Sequence, residues 1–368
     1  LKEHPGYLLL DVRSKGEFED TSRSQSLNIG AFQPATHINI NDLAGRWREI
    51  DAYKDKPVFI YCSHSQRSRR ASKMLADSGF TKIYNINGGM TRILTIRDEL
   101  PNCFREMYKT KNPYKLITAA EVAEKAKKSN PWFILDVRPD SVFRGIHTQE
   151  RRNAAGRFAD ANNILSSQVE ANLASIPKDK PILVVDEFGN ESRETASFLL
   201  NMGFRDVSVL FNGMDAWLSY MLDDHTSPAL KWTNHSASRM IKPDGFHALM
   251  TKEKDVTVID LRPADQFSNQ SKNYWENIGM IKNAVNIPHT ELDNKTINWP
   301  VSKSSPVVLY TFSNQPEVFE AAKKLQAKGY TNLYVLYGGI WGIRWSAYNI
   351  KGKSHLADWV VGIPEENR

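Results

Sequence analysis

Cysteine is nearly absent from this chain: Cys62 and Cys103 are the two in 368 residues. So few exclude a disulfide framework, and neither sits in a Cys-x-x-Cys or Cys/His spacing that would hold a metal. No apolar run approaches the roughly 20 residues that cross a bilayer, so no membrane span is expected. No signal-like segment stands at the start, although Leu1 in place of a methionine suits a trimmed or processed product and leaves a removed signal peptide open as one alternative. Charge of one sign is also scarce: the net value is +6, spread along the sequence, and no nucleic-acid-binding motif accompanies it. Hydrophobic residues at 41% and charged residues at 24% are ordinary for a globular protein, and the length suits two or three domains.

What is present is repetition. An apolar strand ending in Asp-x-Arg occurs three times, as LLLDVR at 8–13, FILDVR at 133–138 and TVIDLR at 257–262. Each copy continues into a Gly-x-apolar-x-x-Ala-x-Asn-Ile segment, clearest in GRFADANNI and GMIKNAVNIP and looser in IGAFQPATHINI. A short buried strand follows, introduced by Lys-Pro or Ser-Pro: KPVFIYC, KPILVVD and SPVVLYT. Then come a helix, Gly-aromatic, another strand and a Gly-rich turn, as in GFTKIYNINGGM. Copies one and two keep register without a gap, since Cys62 to Asp186, Gly79 to Gly203 and Met90 to Met214 are each separated by 124 positions. Gly79 to Gly329 are separated by 250. Strands alternating with helices predict three α/β domains, each a central, mainly parallel sheet flanked by helices. The expected bounds are 1–100, 117–222 and 244–350, with a C-terminal tail over 351–368 packed on the third domain and joining segments near 101–116 and 223–243.

Cys62 falls at the carboxyl end of a buried parallel strand, before a helix expected to begin near Ser68 or Arg69. Ligands bind at such strand ends, where a helix offers unpaired N–H groups. The loop SHSQR can curl its amides around the sulfur and favour a nucleophilic thiolate, and the same cradle suits a persulfide. Arg67, with Arg69 and Arg70 nearby, adds positive charge, so an anionic substrate is implied. The plain alternative is an inert buried cysteine. Cys103, in a joining segment, carries no catalytic pattern.

The order of Asp-x-Arg strand, Gly-x-apolar-x-x-Ala-x-Asn-Ile segment, strand-Cys-loop-Arg-Ser and Gly-aromatic to Gly-Gly turn resembles the rhodanese-like domain in three tandem copies. The resemblance implies a sulfurtransferase without metal or cofactor. Its cysteine, here Cys62, would take sulfane sulfur from a small anionic donor such as thiosulfate and pass it to a thiol or cyanide-like acceptor. By the same resemblance the loop Ser63, His64, Ser65, Gln66 and Arg67, followed by Ser68, binds substrate, with Ser63 to Arg67 supplying amides and Arg67 holding the anion. The family's loop commonly reads Cys-x-x-Gly-x-Arg-Ser, and Ser65 replaces its glycine. That position implies a strained serine or a slightly different loop.

Copies two and three place Asp186 and Thr311 where the cysteine would be, which implies silent domains kept for packing or for a protein partner. Two rival functions follow: a non-catalytic scaffold, and a phosphate- or arsenate-handling thiol enzyme. The second would use Cys-x5-Arg, and that count lands on Ser68, not on Arg67. The compartment is open, with a lone reactive thiol easiest to keep reduced in the cytoplasm.

Overall fold

The computed structural model describes residues 6–223, 230–234, 236, 238–296, 299 and 301–365. The chain divides into two compact units, Leu1–Val137 with Ile164–Ala216, and Arg138–Asn163 with Trp217–Arg368.

In the first unit the chain runs through β1 (Leu8–Asp11), α1 (Lys15–Phe18), β2 (Thr36–His37), β3 (Val58–Tyr61), α2 (Gln66–Asp77), β4 (Ile83–Asn85) and α3 (Gly89–Thr95). The four strands are parallel, in the order β2–β1–β3–β4. Successive side chains of a strand point to opposite faces. Leu8, Leu10, Val58, Ile60 and Cys62 accordingly enter one apolar cluster, and Leu9 and Tyr61 enter another. Both faces are covered, which is why these strands read as unbroken apolar runs. The second repeat brings to this unit β5 (Lys115–Ile117), β6 (Phe133–Asp136), β7 (Ile182–Val185), α4 (Glu191–Asn201) and β8 (Val207–Leu210), its strands parallel in the order β6–β7–β8–β5.

The second unit holds β9 (Arg239–Ile241), β10 (Thr257–Asp260), β11 (Val285–Asn286), β12 (Val307–Tyr310), α5 (Pro316–Ala327), β13 (Leu333–Leu336) and α6 (Gly339–Asn349). Its five strands are parallel in the order β9–β13–β12–β10–β11. Three parallel sheets flanked by helices bear out the architecture expected from the repeats.

The Asp-x-Arg pairs tie strand ends to turns. Arg13 Nη2 lies 2.7 Å from Asp11 Oδ2 and donates to the Gly30 carbonyl at 2.8 Å. Arg262 repeats this with Asp260 and Gly279. All four side chains are buried, so each cation is matched by its own carboxylate.

The joining segments are not bare linkers. Residues 101–116 contain the helix Asn102–Met107 and a two-residue strand, Tyr108–Lys109, which pairs antiparallel with Ala31–Phe32. Trp232–Thr233 pairs in the same way with Arg157–Phe158, and Val360–Val361 of the tail with Met280–Ile281. Each Gly-x-apolar segment thus receives a return strand from the chain that follows its repeat. Residues 224–229, 235 and 237 of the second joining segment lie outside the described residues.

Candidate active site

Cys62 follows β3 directly, and its side chain is 1% exposed. The helix after it begins at Gln66, two to three residues before the expected start at Ser68 or Arg69, so the loop is only Ser63-His64-Ser65. That shortness folds the chain back on the sulfur. The Ser65 N–H donates to Cys62 Sγ at 3.1 Å, and Ser68 Oγ lies 3.5 Å from the sulfur and 3.0 Å from the Ser65 carbonyl. The Ser68 hydroxyl has one proton to share between the carbonyl and the sulfur, so the Ser65 amide is the firmer donor to a sulfur held as an acceptor beside a helix start.

Ser65 takes the strained alternative of the two the sequence left open. Its φ is +99°, in the region that favours glycine. Gly189, at the matching position of copy two, has φ +87°, so this position takes a positive φ with either residue. Serine brings a compensation, because its Oγ accepts the Gly88 N–H. Ser65→Ala is therefore expected to cost about 1–3 kcal/mol, since the strain stays and the amide loses its partner. Ser65→Gly trades relief of strain against the same lost bond and is expected to fall within about 1 kcal/mol of the parent. Denaturant unfolding of the two variants checks the difference.

Arg67 reaches the loop by a route that its sequence position does not reveal. Its guanidinium forms a two-pronged pair with Glu17, at 2.5 and 2.7 Å, and donates to Ser63 Oγ at 2.8 Å. Glu17 is the residue that sequence reasoning missed. Its visible signal is Ser14-x-x-Glu17, and the two do form a capping box at the start of α1. The pairing with Arg67 joins positions 50 residues apart, beyond any local pattern. Burial works against the Glu17 charge, yet the Arg67 and Ser14 contacts outweigh it and hold the carboxyl below its usual range. A carboxyl with a depressed folded pKa stabilises the fold above its unfolded pKa of about 4.3 and loses that contribution as pH falls toward the folded value. The stability difference between the parent and Glu17→Gln should accordingly be flat above about pH 5 and shrink below about pH 4. Unfolding curves across that range test this.

His64 stands at the exposed rim. Its Nδ1 lies 3.0 Å from Ser63 Oγ and its Nε2 3.2 Å from Thr91 Oγ1. Desolvation of the ring and the nearby Arg67 charge push its pKa down, so the neutral imidazole dominates at neutral pH. Gln66 is exposed at the first turn of α2, as are Arg69 and Arg70, while Ser63 and Ser68 are buried. Among the described residues the Ser65 amide is the one loop N–H bonded to the sulfur; the others that the sequence assigned to a cradle are not.

The Gly88-Gly89 turn closes the site from the next strand. Met90 N–H donates to the Cys62 carbonyl at 2.9 Å and Thr91 N–H to the Ser63 carbonyl at 3.1 Å. A Cβ on Gly89 would stand 2.2 Å from the Cys62 carbonyl oxygen, so the turn can approach this closely only without a side chain.

In copy two, Asp186 accepts the Gly189 N–H at 2.6 Å and the Ser192 N–H at 3.1 Å. These are the positions of Ser65 and Ser68, so a carboxyl occupies the seat of the sulfur. Burial and the neighbouring Glu191 raise its pKa. In copy three, Thr311 Oγ1 donates to the Ser313 carbonyl at 2.9 Å. No group of three or more His, Cys, Asp or Glu side chains suited to a metal occurs among the described residues.

Comparison with known proteins gives the same division into three. A model of the rhodanese-like domain matches residues 1–95, 118–220 and 242–344. The uncharacterized protein YqhL of Bacillus subtilis is 39% identical over 84 residues, 23% of this chain and 58% of that protein. A thiosulfate sulfurtransferase, GlpE, of Pseudomonas syringae is 31% identical over 84 residues, 23% of this chain and 69% of that protein. A tRNA uridine(34) hydroxylase of Cytophaga hutchinsonii is 30% identical over 95 residues, 25% of this chain and 28% of that protein. The match thus spans little more than half of the first of these relatives and under a third of the hydroxylase. Among solved structures, a rhodanese-like domain protein from Staphylococcus aureus is 26% identical over 33% of this chain and 99% of its own, with a TM-score of 0.25.

Proposed function

Because this chain belongs to the rhodanese-like family, with its matched segments covering most of the sequence, we propose that it is a sulfurtransferase working through a persulfide on Cys62. The single observation that carries this reading is the buried Cys62 sulfur receiving the Ser65 N–H at 3.1 Å, with Arg67 of the following helix bonded to the same loop at Ser63. The thiolate attacks the outer sulfur of a thiosulfate-like donor. The donor's S–S bond breaks, sulfite leaves with the electron pair, and Cys62 keeps the sulfur as a persulfide. A thiophilic acceptor then attacks the terminal sulfur and the thiolate is regenerated, so no external oxidant or reductant is needed. The Ser65 amide and the Ser68 hydroxyl are the groups suited to steady charge on the sulfur. Arg67, partly neutralised by Glu17, orients the anion and does not act as a bare cation.

Copies two and three are silent in this reading. The loop with Arg67 five positions after Cys62 also argues against an oxyanion-handling phosphatase-type enzyme. Steady-state thiocyanate release from thiosulfate and cyanide tests the proposal: turnover that saturates in thiosulfate supports it, and no release above the uncatalysed rate from any sulfane donor overturns it.

A further inference from the structure

The second and third repeats each receive a segment of the repeat before them, and the first repeat carries the corresponding docking residues exposed among the described residues. In the first unit, the turn Gln25–Leu27 of copy one meets α4, the helix that follows the loop of copy two. Arg193 of α4 donates to the carbonyls of Gln25 at 2.9 Å and Asn28 at 2.6 Å, and Asn190 Oδ1 accepts the Ser26 N–H at 3.2 Å. In the second unit, the corresponding stretch of copy two, the helix Glu150–Ala154, meets α5, the helix after the loop of copy three. Lys323 of α5 pairs with Glu150 at 2.5 Å, and Arg151 donates to the Asn314 carbonyl at 2.8 Å. Twice, then, a short segment of one repeat, a turn in the first case and a helix of five residues in the second, seats on the helix that follows a nucleophile-position loop and is held by an arginine or a lysine of that helix.

The equivalent helix of copy one is α2. Arg69 lies 124 positions before Arg193, and Lys73 lies 250 positions before Lys323, the offsets that align the repeats. Both gripping residues are therefore present on α2, and both are exposed, with the Lys73 side chain at 80%. Arg69 and Arg70 make no side-chain hydrogen bond or ion pair among the described residues, and Lys73 meets only Asp77, at 3.4 Å. The face is basic and adjoins the chemistry, since Arg69 N–H donates to the Ser65 carbonyl at 2.9 Å.

We propose that the exposed face of α2, centred on Arg69 and Lys73, is a docking surface for a partner protein whose acidic turn seats there and presents its sulfur-carrying or sulfur-accepting group to Cys62. The pairing of Glu150 with Lys323 is the internal example of that chemistry, and the three cations Arg69, Arg70 and Lys73 against Asp77 on the same helix set the complementary charge. The proposal rests on the sulfur-transfer reading for its purpose, but not for the docking itself.

The test uses the full chain loaded with sulfur from thiosulfate, and two acceptor peptides of equal length. Each carries one cysteine beside a turn, with two glutamates in one peptide and two lysines in the other. The acidic peptide should accept sulfur about tenfold faster at low ionic strength, with the gap closing at about 0.5 M salt. Arg69→Glu with Lys73→Glu should invert the preference; because the readout is a ratio within one protein, any general change in activity cancels. Equal rates in the parent, or a preference that survives the double reversal, overturn the proposal. If Cys62 accepts no sulfur, the transfer reading fails by itself, and fluorescence anisotropy with serine in place of the peptide cysteine still decides docking by the same reversal. Self-association in sedimentation velocity that the double reversal abolishes would make the occupant a second copy of this chain and overturn the separate partner.

Discussion

Cys62→Ala will lose sulfur transfer by about a thousandfold or more while keeping its fold. The loss is large because covalent catalysis has no substitute when the nucleophile is removed, and the remaining loop groups only bind. The fold survives because the sulfur is one atom of a larger apolar cluster of the first unit, and trimming it costs about 1 kcal/mol. Cys103→Ala should leave the rate unchanged, since Cys103 lies on the helix Asn102–Met107 and is no part of the loop Ser63-His64-Ser65. Thiocyanate release, with circular dichroism to monitor the fold, checks both variants. A Cys62→Ala protein that still turns over would move the chemistry elsewhere.

Gly89→Ala is the second large effect, and it strikes the site from behind. The added Cβ would lie 2.2 Å from the Cys62 carbonyl oxygen and 2.7 Å from the Ser63 carbonyl carbon, both backbone atoms. Gly89 also has φ +56°, where a side chain is strained. The backbone can yield only by giving up the bonds from Met90 and Thr91 to those two carbonyls. A cost of about 3 kcal/mol or more is expected, together with at least a tenfold fall in kcat as the loop moves off the sulfur. Gly79→Ala provides the contrast. Its φ is +91°, but the nearest atom to an added Cβ is Lys54 Cε at 4.0 Å. That variant should lose about 1–2 kcal/mol and no activity. Paired unfolding and rate measurements separate strain alone from strain that reaches Cys62.

The parts of this site that the sequence reveals are those set by local pattern or by comparison of the chain with itself. Apolar runs bounded by proline and a turn mark β3, β7 and β12, and their alignment singles out Cys62 against Asp186 and Thr311. The resemblance to the rhodanese-like loop adds Ser65 as the residue standing where glycine is usual. What stays hidden depends on contacts between distant positions. Glu17 reads as a helix cap because its bond to Ser14 is local, whereas its bond to Arg67 needs the folded sheet. The return strands YK, WT and VV are two residues long, too short to show an alternation, so their stretches read as linker and tail. In the sequence Arg69 is positive charge beside Arg67 and Lys73 carries no signal, until Arg193 and Lys323 show what the same positions do when another repeat covers them.

The account stands or falls on whether Cys62 carries sulfur. Intact-mass measurement of the full chain after incubation with thiosulfate, and again after cyanide, addresses this directly. The expected result is a gain of one sulfur atom that maps to the Cys62 peptide, disappears on adding cyanide and is absent in Cys62→Ala. An unchanged mass with thiosulfate and with every other sulfane donor, in protein whose Cys62 still alkylates, would contradict it.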